Sequence, residues 1–135
     1  MTEIPLNWLA IATAAAVRLI LGFLWYAPFA FGPQFMRMTG CSPQEMKARL
    51  PRAFLSDVIG ALIMSFILAH AVYYAGAATP ATGAAVGIFN WLGFILVTHF
   101  ALVAYEKRPF GLFVLNNGFQ LLSLAAMGAL LGGWR

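Results

Sequence analysis

Charged residues are scarce in this chain. Lys, Arg, Asp and Glu together make up 9% of its 135 residues, whereas 62% of the residues are hydrophobic and the mean hydropathy is +0.85. A soluble domain of this size could not keep so apolar a chain in water. The scarcity of charge therefore excludes an ordinary soluble protein and predicts one that is embedded in a lipid bilayer.

Cysteine and the common chemical motifs are also missing. Cys41 is the only cysteine, which excludes an intramolecular disulfide and any metal site built from several cysteines. The sequence has no H-E-x-x-H, no C-x-x-C, no phosphate-binding glycine loop and no nucleophile elbow. We therefore predict no catalytic residue, no metal and no cofactor. No Lys or Arg precedes the first apolar run, so we expect that run to be a permanent span and not a signal peptide.

Four apolar segments are long enough to cross a bilayer, whose core of about 30 Å requires about 20 helical residues. They lie at residues 7–27, 53–75, 81–104 and 110–131, within a single transmembrane domain of residues 1–135. The links after the second and third segments are short, which makes the helices they join antiparallel neighbours. The predicted fold is an all-α polytopic membrane protein with four transmembrane helices in an antiparallel bundle.

The basic residues outside the spans indicate an orientation, because Lys and Arg are retained in cytoplasmic loops. The opposite side of the bundle has only Arg135. The first and third connections contain Arg37, Lys47, Arg49, Arg52, Lys107 and Arg108. We therefore expect both termini on the non-cytoplasmic side. Aromatic residues near the span ends agree and are predicted interfacial anchors: Trp8, Trp25, Tyr26, Tyr105 and Trp134.

The connection at residues 28–52 contains a helix signal. Ser42-Pro43-Gln44-Glu45 has the pattern of a capping box with proline at the first helical position, and Pro51 is expected to end the helix. Two alternatives remain open, a short helix in the headgroup layer or a solvated polar loop. In both cases the expected partners are anionic phospholipid headgroups rather than nucleic acid. The residues that would bind them are Arg37, Lys47, Arg49 and Arg52.

Polar residues inside the spans are the main lead to function, since ionisable groups are costly there and mark partners, relays or pathways. Counting helical rise from the cytoplasmic ends places six of them in the same half of the bundle: Arg18, Asp57, His99, Asn116, Asn117 and Gln120. Arg18 is a permanent cation near the middle of the first span, and Asp57 is the only carboxylate within a span. We expect these two to pair. The cluster then serves helix packing, a contact with a lipid phosphate, or an anion or proton site open to the cytoplasm.

Small residues recur at four-residue spacing in the other half of the bundle. Gly83 and Gly87 lie in the third span, and Gly128 and Gly132 lie in the fourth. Such patterns let membrane helices approach closely. They indicate either packing within one chain or a homodimer seam.

The run from Gly22 to Gly32, with Trp25-Tyr26-Ala27-Pro28 at its centre, is followed by Met36 and Gly40. It resembles the opening signature of the bacterial "domain of unknown function 1761" family. Tyr105 to Pro109 and Asn117-Gly118 also look like that family, so the resemblance covers most of the chain. It implies a four-helix protein of the bacterial cytoplasmic membrane and brings no activity, substrate or cofactor.

Three classes of function fit these features. The leading one is a non-enzymatic membrane protein, either a small homo-oligomeric transporter or channel or an accessory subunit of a larger complex. The second is a membrane enzyme acting on a lipid or quinone, with His99 as base and Arg18 or Asn117 holding an anion. The third is a sensor of anionic lipids or small molecules that uses the basic connection.

Overall fold

Helices make up all of the regular structure in the computed structural model, which describes residues 5–40, 42–106 and 108–134. In chain order they are α1 (Trp8–Trp25), α2 (Gly32–Thr39), α3 (Pro43–Tyr74), α4 (Pro80–Asn90), a π-helical turn (Trp91–Leu96), α5 (Val97–Glu106) and α6 (Phe110–Gly133). Four stretches are long and apolar enough to cross a membrane: α1, α3, the continuous helix Pro80–Glu106, and α6. The predicted all-α fold with four membrane helices is therefore confirmed. The expectations for Cys41, Lys107 and Arg135 lie outside the described residues.

The buried core lies at one end of the bundle, which contains Trp8, Tyr74 and Trp134 and which we call the outer half. The opposite end, with Trp25, Asp57 and Phe110, is the inner half. The Ser65 hydroxyl donates a 2.6 Å hydrogen bond to the carbonyl oxygen of Ile11 and holds α3 against α1. Apolar side chains of α1, α3, α6 and the loop after α3 fill the core: Ala10, Ile11, Ala14, Leu68, Val72, Ala77, Leu124, Met127 and Leu131.

Glycines bring α4 and α6 into backbone contact in the outer half. A Cβ atom at Gly83 would overlap the carbonyl oxygen of Gly128, and one at Gly87 would overlap that of Leu124. A Cβ at Gly132 would lie 2.6 Å from the carbonyl oxygen of Thr79. The two glycine pairs thus pack against each other within one chain. Because this seam already uses their surfaces, those surfaces are not available for a homodimer seam.

The connection between the first two spans differs from the expectation. A short helix lies there, but it is α2, which precedes the helix signal at Ser42 and was not predicted. The Ser42 side chain caps α3 as the sequence suggested, accepting a hydrogen bond from the Glu45 amide. The prediction that Pro51 ends this helix is wrong, because α3 continues through it to Tyr74. A proline inside a helix removes one backbone hydrogen bond. The other backbone hydrogen bonds of α3, which is about 48 Å long, are sufficient to keep the chain helical on both sides of Pro51.

The turn from α1 to α2 is tight and requires glycine at its end. The amide of Phe31 donates to the carbonyl oxygen of Trp25 at 3.0 Å, and the amide of Gly32 donates to that of Ala27 at 3.1 Å. A Cβ at Gly32 would lie 2.6 Å from the carbonyl oxygen of Tyr26. The chain therefore turns sharply after α1, and α2 packs against the first turns of α6.

Candidate functional site

Arg18 lies on the inward face of α1, one helical turn from buried Ala14. Its Nη1 donates a 2.6 Å hydrogen bond to the Ser123 hydroxyl, and its Cζ lies 5.1 Å from the centre of the Phe119 ring. Both partners are neutral. The other four N–H groups of the guanidinium have no hydrogen-bond acceptor among the described residues. A half-buried cation thus has most of its donors available.

The ion pair expected between Arg18 and Asp57 is not formed in the part of the chain that the structure describes. The two residues are nevertheless at the same level, because the bond between Ser65 and Ile11 places Arg18 opposite Val58 in the antiparallel helices. The reason is that α3 stands away from the bundle here, since none of residues 43–60 is buried. Asp57 is exposed, although it lies one turn from buried Ala61, and its charge acts on Arg18 from beyond 4 Å.

The end of α1 is held to α6 by two aromatic side chains. The Trp25 indole nitrogen donates to the carbonyl oxygen of Leu115 at 3.2 Å, and the Tyr26 hydroxyl donates to Oδ1 of Asn116 at 2.7 Å. The Tyr26 ring also meets the Phe119 ring edge-on at 5.6 Å. The polar atoms of these predicted interfacial anchors are therefore used inside the protein. The aromatic rings of Trp25, Tyr26 and Phe119 thus lie between Arg18 and α2.

A line of polar side chains runs along α6 in the inner half, and we call these four residues the α6 ridge: Asn116, Asn117, Gln120 and Ser123. The Asn117 amide nitrogen donates to the carbonyl oxygen of Phe113 at 3.0 Å, whereas its Oδ1 is buried without a partner among the described residues. Oε1 of Gln120 is also buried and unpaired, as is Oε1 of Gln34 in α2. Unpaired buried acceptors are uncommon in proteins and require an explanation.

The third span is loosely packed over its inner part. No residue from 91 to 106 is buried, and α5 meets α6 mainly through the Phe100 and Phe113 rings, 5.8 Å apart. The change coincides with the π-helical turn, a type of irregularity that is frequent at functional sites. The Trp91 indole nitrogen, at the start of that turn, donates to the backbone carbonyl oxygen of Asn117 at 3.0 Å. The inner half is consequently closed by α1, α2 and α6, whereas α3 and α5 pack only loosely against it.

The six predicted site residues are only partly brought together. Arg18, Asn116, Asn117 and Gln120 line the closed side, while Asp57 and His99 lie on the two loosely packed helices. His99 is half-buried and has no hydrogen bond within the described ranges. No group of three or more His, Cys, Asp or Glu residues that could hold a metal occurs among the residues searched, which are the described ones.

Ser123 and Phe119 were not anticipated, and they are the direct partners of Arg18. A serine in an otherwise apolar stretch was the available signal. The depth estimate missed it because α1 ends level with Leu115, well inside α6, so that Arg18 lies opposite Ser123. The remaining predicted anchors lie at helix ends: Trp8 stacks on Phe66, Tyr105 is 90% exposed, and the carbonyl oxygen of Trp134 accepts a bond from Asn7.

Comparison with protein-family models identifies a relationship. A family model described as "Protein of unknown function (DUF1761)" matches residues 9–132, nearly the whole chain. No curated protein and no solved structure matches the chain.

Proposed function

The chain belongs to the DUF1761 family, and we propose that it is a non-enzymatic membrane carrier that binds a small anion at Arg18. The observation that carries this proposal is the set of partners around the guanidinium. Arg18 lies within a membrane helix, its hydrogen-bonding partner Ser123 is neutral, and Asp57 is beyond ion-pair distance. A cation in this setting is a binding site for a negative charge.

Approximate energies explain how the membrane helix tolerates Arg18, and its unused donors are what point to a ligand. An arginine at the centre of a membrane helix costs about 2.5–3.5 kcal/mol on insertion scales. A hydrogen bond to a charged group offsets about 1.5–3 kcal/mol, and a cation–π contact offsets about 0.5–2 kcal/mol. Ser123 and Phe119 therefore hold Arg18 in place but leave four N–H donors unused. A carboxylate or phosphate accepts two of these donors in parallel, which is the geometry that arginine favours.

The inner half has the features of a carrier rather than of a purely structural subunit. A structural subunit needs only satisfied hydrogen bonds and a closed seam, whereas a carrier needs a polar cavity near the midplane at a helix interface. Here α3 and α5 pack only loosely against the inner half, and the side-chain oxygens of Asn117 and Gln120 have no partner within the described ranges, so the hydrogen bonds of this half are not all satisfied. The enzyme alternative has less support, because His99 lacks a hydrogen-bonded partner within the described ranges to orient it as a base.

The basic connection supports entry of anions from the cytoplasmic side. Arg37 in α2 is exposed, as are Lys47, Arg49 and Arg52 in the first turns of α3. A group of exposed cations raises the local concentration of anions and also attracts anionic lipid headgroups. In this proposal the protein lies in the bacterial cytoplasmic membrane with its termini outside and the inner half facing the cytoplasm. A homo-oligomeric state stays a prediction.

Uptake by proteoliposomes tests the carrier function. The purified chain is reconstituted into zwitterionic vesicles, and uptake of radiolabelled phosphate and acetate is measured at constant ionic strength. We expect uptake above that of empty vesicles, about tenfold lower uptake for Arg18→Gln because the charged hydrogen bonds are lost, and intermediate uptake for Arg18→Lys. Arg108→Gln, which removes an exposed cation outside the basic connection, is the matched control. Uptake equal to that of empty vesicles, or unchanged in Arg18→Gln, would contradict the proposal.

A further inference from the structure

Two side-chain oxygens of the α6 ridge receive no hydrogen bond from the part of the chain that the structure describes. Asn117 is 3% exposed, and its orientation is determined by its neighbour: the Phe113 carbonyl can only accept, so the amide nitrogen must face it and Oδ1 must point elsewhere. Oε1 of Gln120 is buried and unpaired as well. These atoms are acceptors, and an anionic group cannot satisfy them.

The two oxygens follow directly from the Arg18 site along the same helix. Ser123, Gln120 and Asn117 are spaced three residues apart, and residues at this spacing are neighbours on a helix surface. The rise of an α-helix places Gln120 about 4.5 Å and Asn117 about 9 Å from the level of Ser123. Because 3.6 residues make one turn, Gln120 points about 60° and Asn117 about 120° around the α6 axis from Ser123. Gln120 is therefore the acceptor next to Arg18, and Asn117 continues the series around the helix towards the inner end of the bundle.

A ligand that meets all of these groups has a negative charge at one end and hydrogen-bond donors a few ångströms away. We propose that Gln120 and Asn117 select anions that carry hydroxyl or amino groups, so that the ligand class is small hydroxylated or aminated carboxylates and phosphates. This inference rests on the proposed anion site at Arg18. A metal cation does not fit the same oxygens, because Arg18 would repel it.

Matched pairs of anions test the selection. Glycerol 3-phosphate and propyl phosphate have similar size and charge, and only the first has hydroxyl donors; lactate and propionate form a second pair. Titrations of the purified chain in zwitterionic nanodiscs give the affinities. We expect the hydroxylated member of each pair to bind about tenfold more tightly, which corresponds to one or two added hydrogen bonds. Equal affinities within both pairs would overturn the inference and indicate that water satisfies the two oxygens.

Variants assign the preference to the ridge. Gln120→Leu and Asn117→Leu should remove the difference within each pair while propyl phosphate binds as before. Asn90→Leu is the matched control, since Asn90 is a half-buried amide on α4 outside the ridge, and it should keep the difference. Unfolding midpoints identify any variant that fails to fold, and Gln120→Met, which keeps the length of the side chain without its amide oxygen, then replaces Gln120→Leu. A preference that survives both ridge variants would contradict the assignment to Gln120 and Asn117.

The same chemistry occurs in a lipid headgroup, because phosphatidylglycerol is a glycerol phosphate ester. Nanodiscs containing phosphatidylglycerol or phosphatidic acid separate the sources. If phosphatidylglycerol competes with the soluble anions and phosphatidic acid does not, the inference holds and the ligand is a lipid. If neither lipid competes, the inference holds and the ligand is a soluble anion. Equal competition by both lipids would contradict a role for the hydroxyl groups. Loss of all anion binding in the wild-type chain would instead remove the proposed function itself.

Discussion

The Ser123 hydroxyl oxygen lies 2.6 Å from Nη1 of Arg18, and it is the only hydrogen-bond acceptor that the guanidinium has in the described part of the chain. Ser123 is fully buried, and its hydroxyl donates a hydrogen bond to the sulfur of Met127, 3.8 Å away. The bond thus joins α1 to α6 in the middle of the bundle. A neutral partner at this place keeps Arg18 oriented without neutralising it.

A carboxylate at position 123 should close the anion site. Ser123→Asp supplies an internal counter-charge, so we expect phosphate and acetate to lose their stabilising effect on the unfolding midpoint. Ser123→Asn introduces a side chain of nearly the same volume as Asp but without its charge. Phosphate and acetate should therefore still raise the unfolding midpoint of this variant. If both variants respond to anions as the wild type does, Arg18 is not the group that binds them.

The glycine seam should tolerate no side chain. Gly83→Ala places a methyl group against the carbonyl oxygen of Gly128, where backbone faces backbone, and we expect a loss of about 1–3 kcal/mol or more in the free energy of unfolding. Gly60→Ala is the control, because a Cβ there meets nothing within 4 Å. It should be neutral or stabilising by about 0.4–1 kcal/mol. Reversible unfolding in mixed micelles measures both, and equal effects would contradict the seam.

The hydroxyl of Tyr26 should contribute to stability through Asn116. Tyr26→Phe removes the 2.7 Å bond that holds the end of α1 to α6, and we expect a loss of about 0.5–1.5 kcal/mol. Tyr105→Phe is the matched control, since that side chain is 90% exposed and should change the free energy of unfolding little. Hydrogen exchange of the α2 amides provides a second readout. Faster exchange in Tyr26→Phe alone is the expected result, and equal exchange in both variants would argue against the contact.

The predicted orientation can be tested with the single native cysteine. Cys41 lies between α2 and α3, in the connection expected to face the cytoplasm. A membrane-impermeant maleimide should label it only after the cells are permeabilised. A variant that combines Cys41→Ser with Ala78→Cys places the thiol in the opposite loop, where Ala78 is exposed, and should be labelled in intact cells. The reverse pattern would invert the orientation.

The sequence predicted the spans well because each apolar run is longer than any buried element of a soluble protein needs to be. It predicted α2 and the passage of α3 through Pro51 poorly. Local signals there are ambiguous: proline usually ends a helix, yet α3 is long enough to continue beyond one missing hydrogen bond. The glycine spacing was visible, but only the packing shows that both pairs belong to one seam.

The candidate site was predicted in composition but not in pairing. Arg18 was recognised from its charge alone, and its neighbour was misjudged because depth was counted as though all spans began at one level. In the structure α1 ends beside Leu115, which moves Arg18 along α6 to Ser123. In the structure α3 is separated from the inner half, so Asp57 does not reach Arg18. This separation depends on three-dimensional packing, and the spacing of residues in the sequence does not indicate it.

Direct titration of the purified chain with inorganic phosphate and acetate, in zwitterionic nanodiscs, tests the central claim most simply. We predict saturable binding to the wild type and to Arg108→Gln, and about tenfold weaker binding to Arg18→Gln. Binding that is the same in Arg18→Gln and the wild type, or absent from a folded wild-type chain, would contradict an anion site at Arg18.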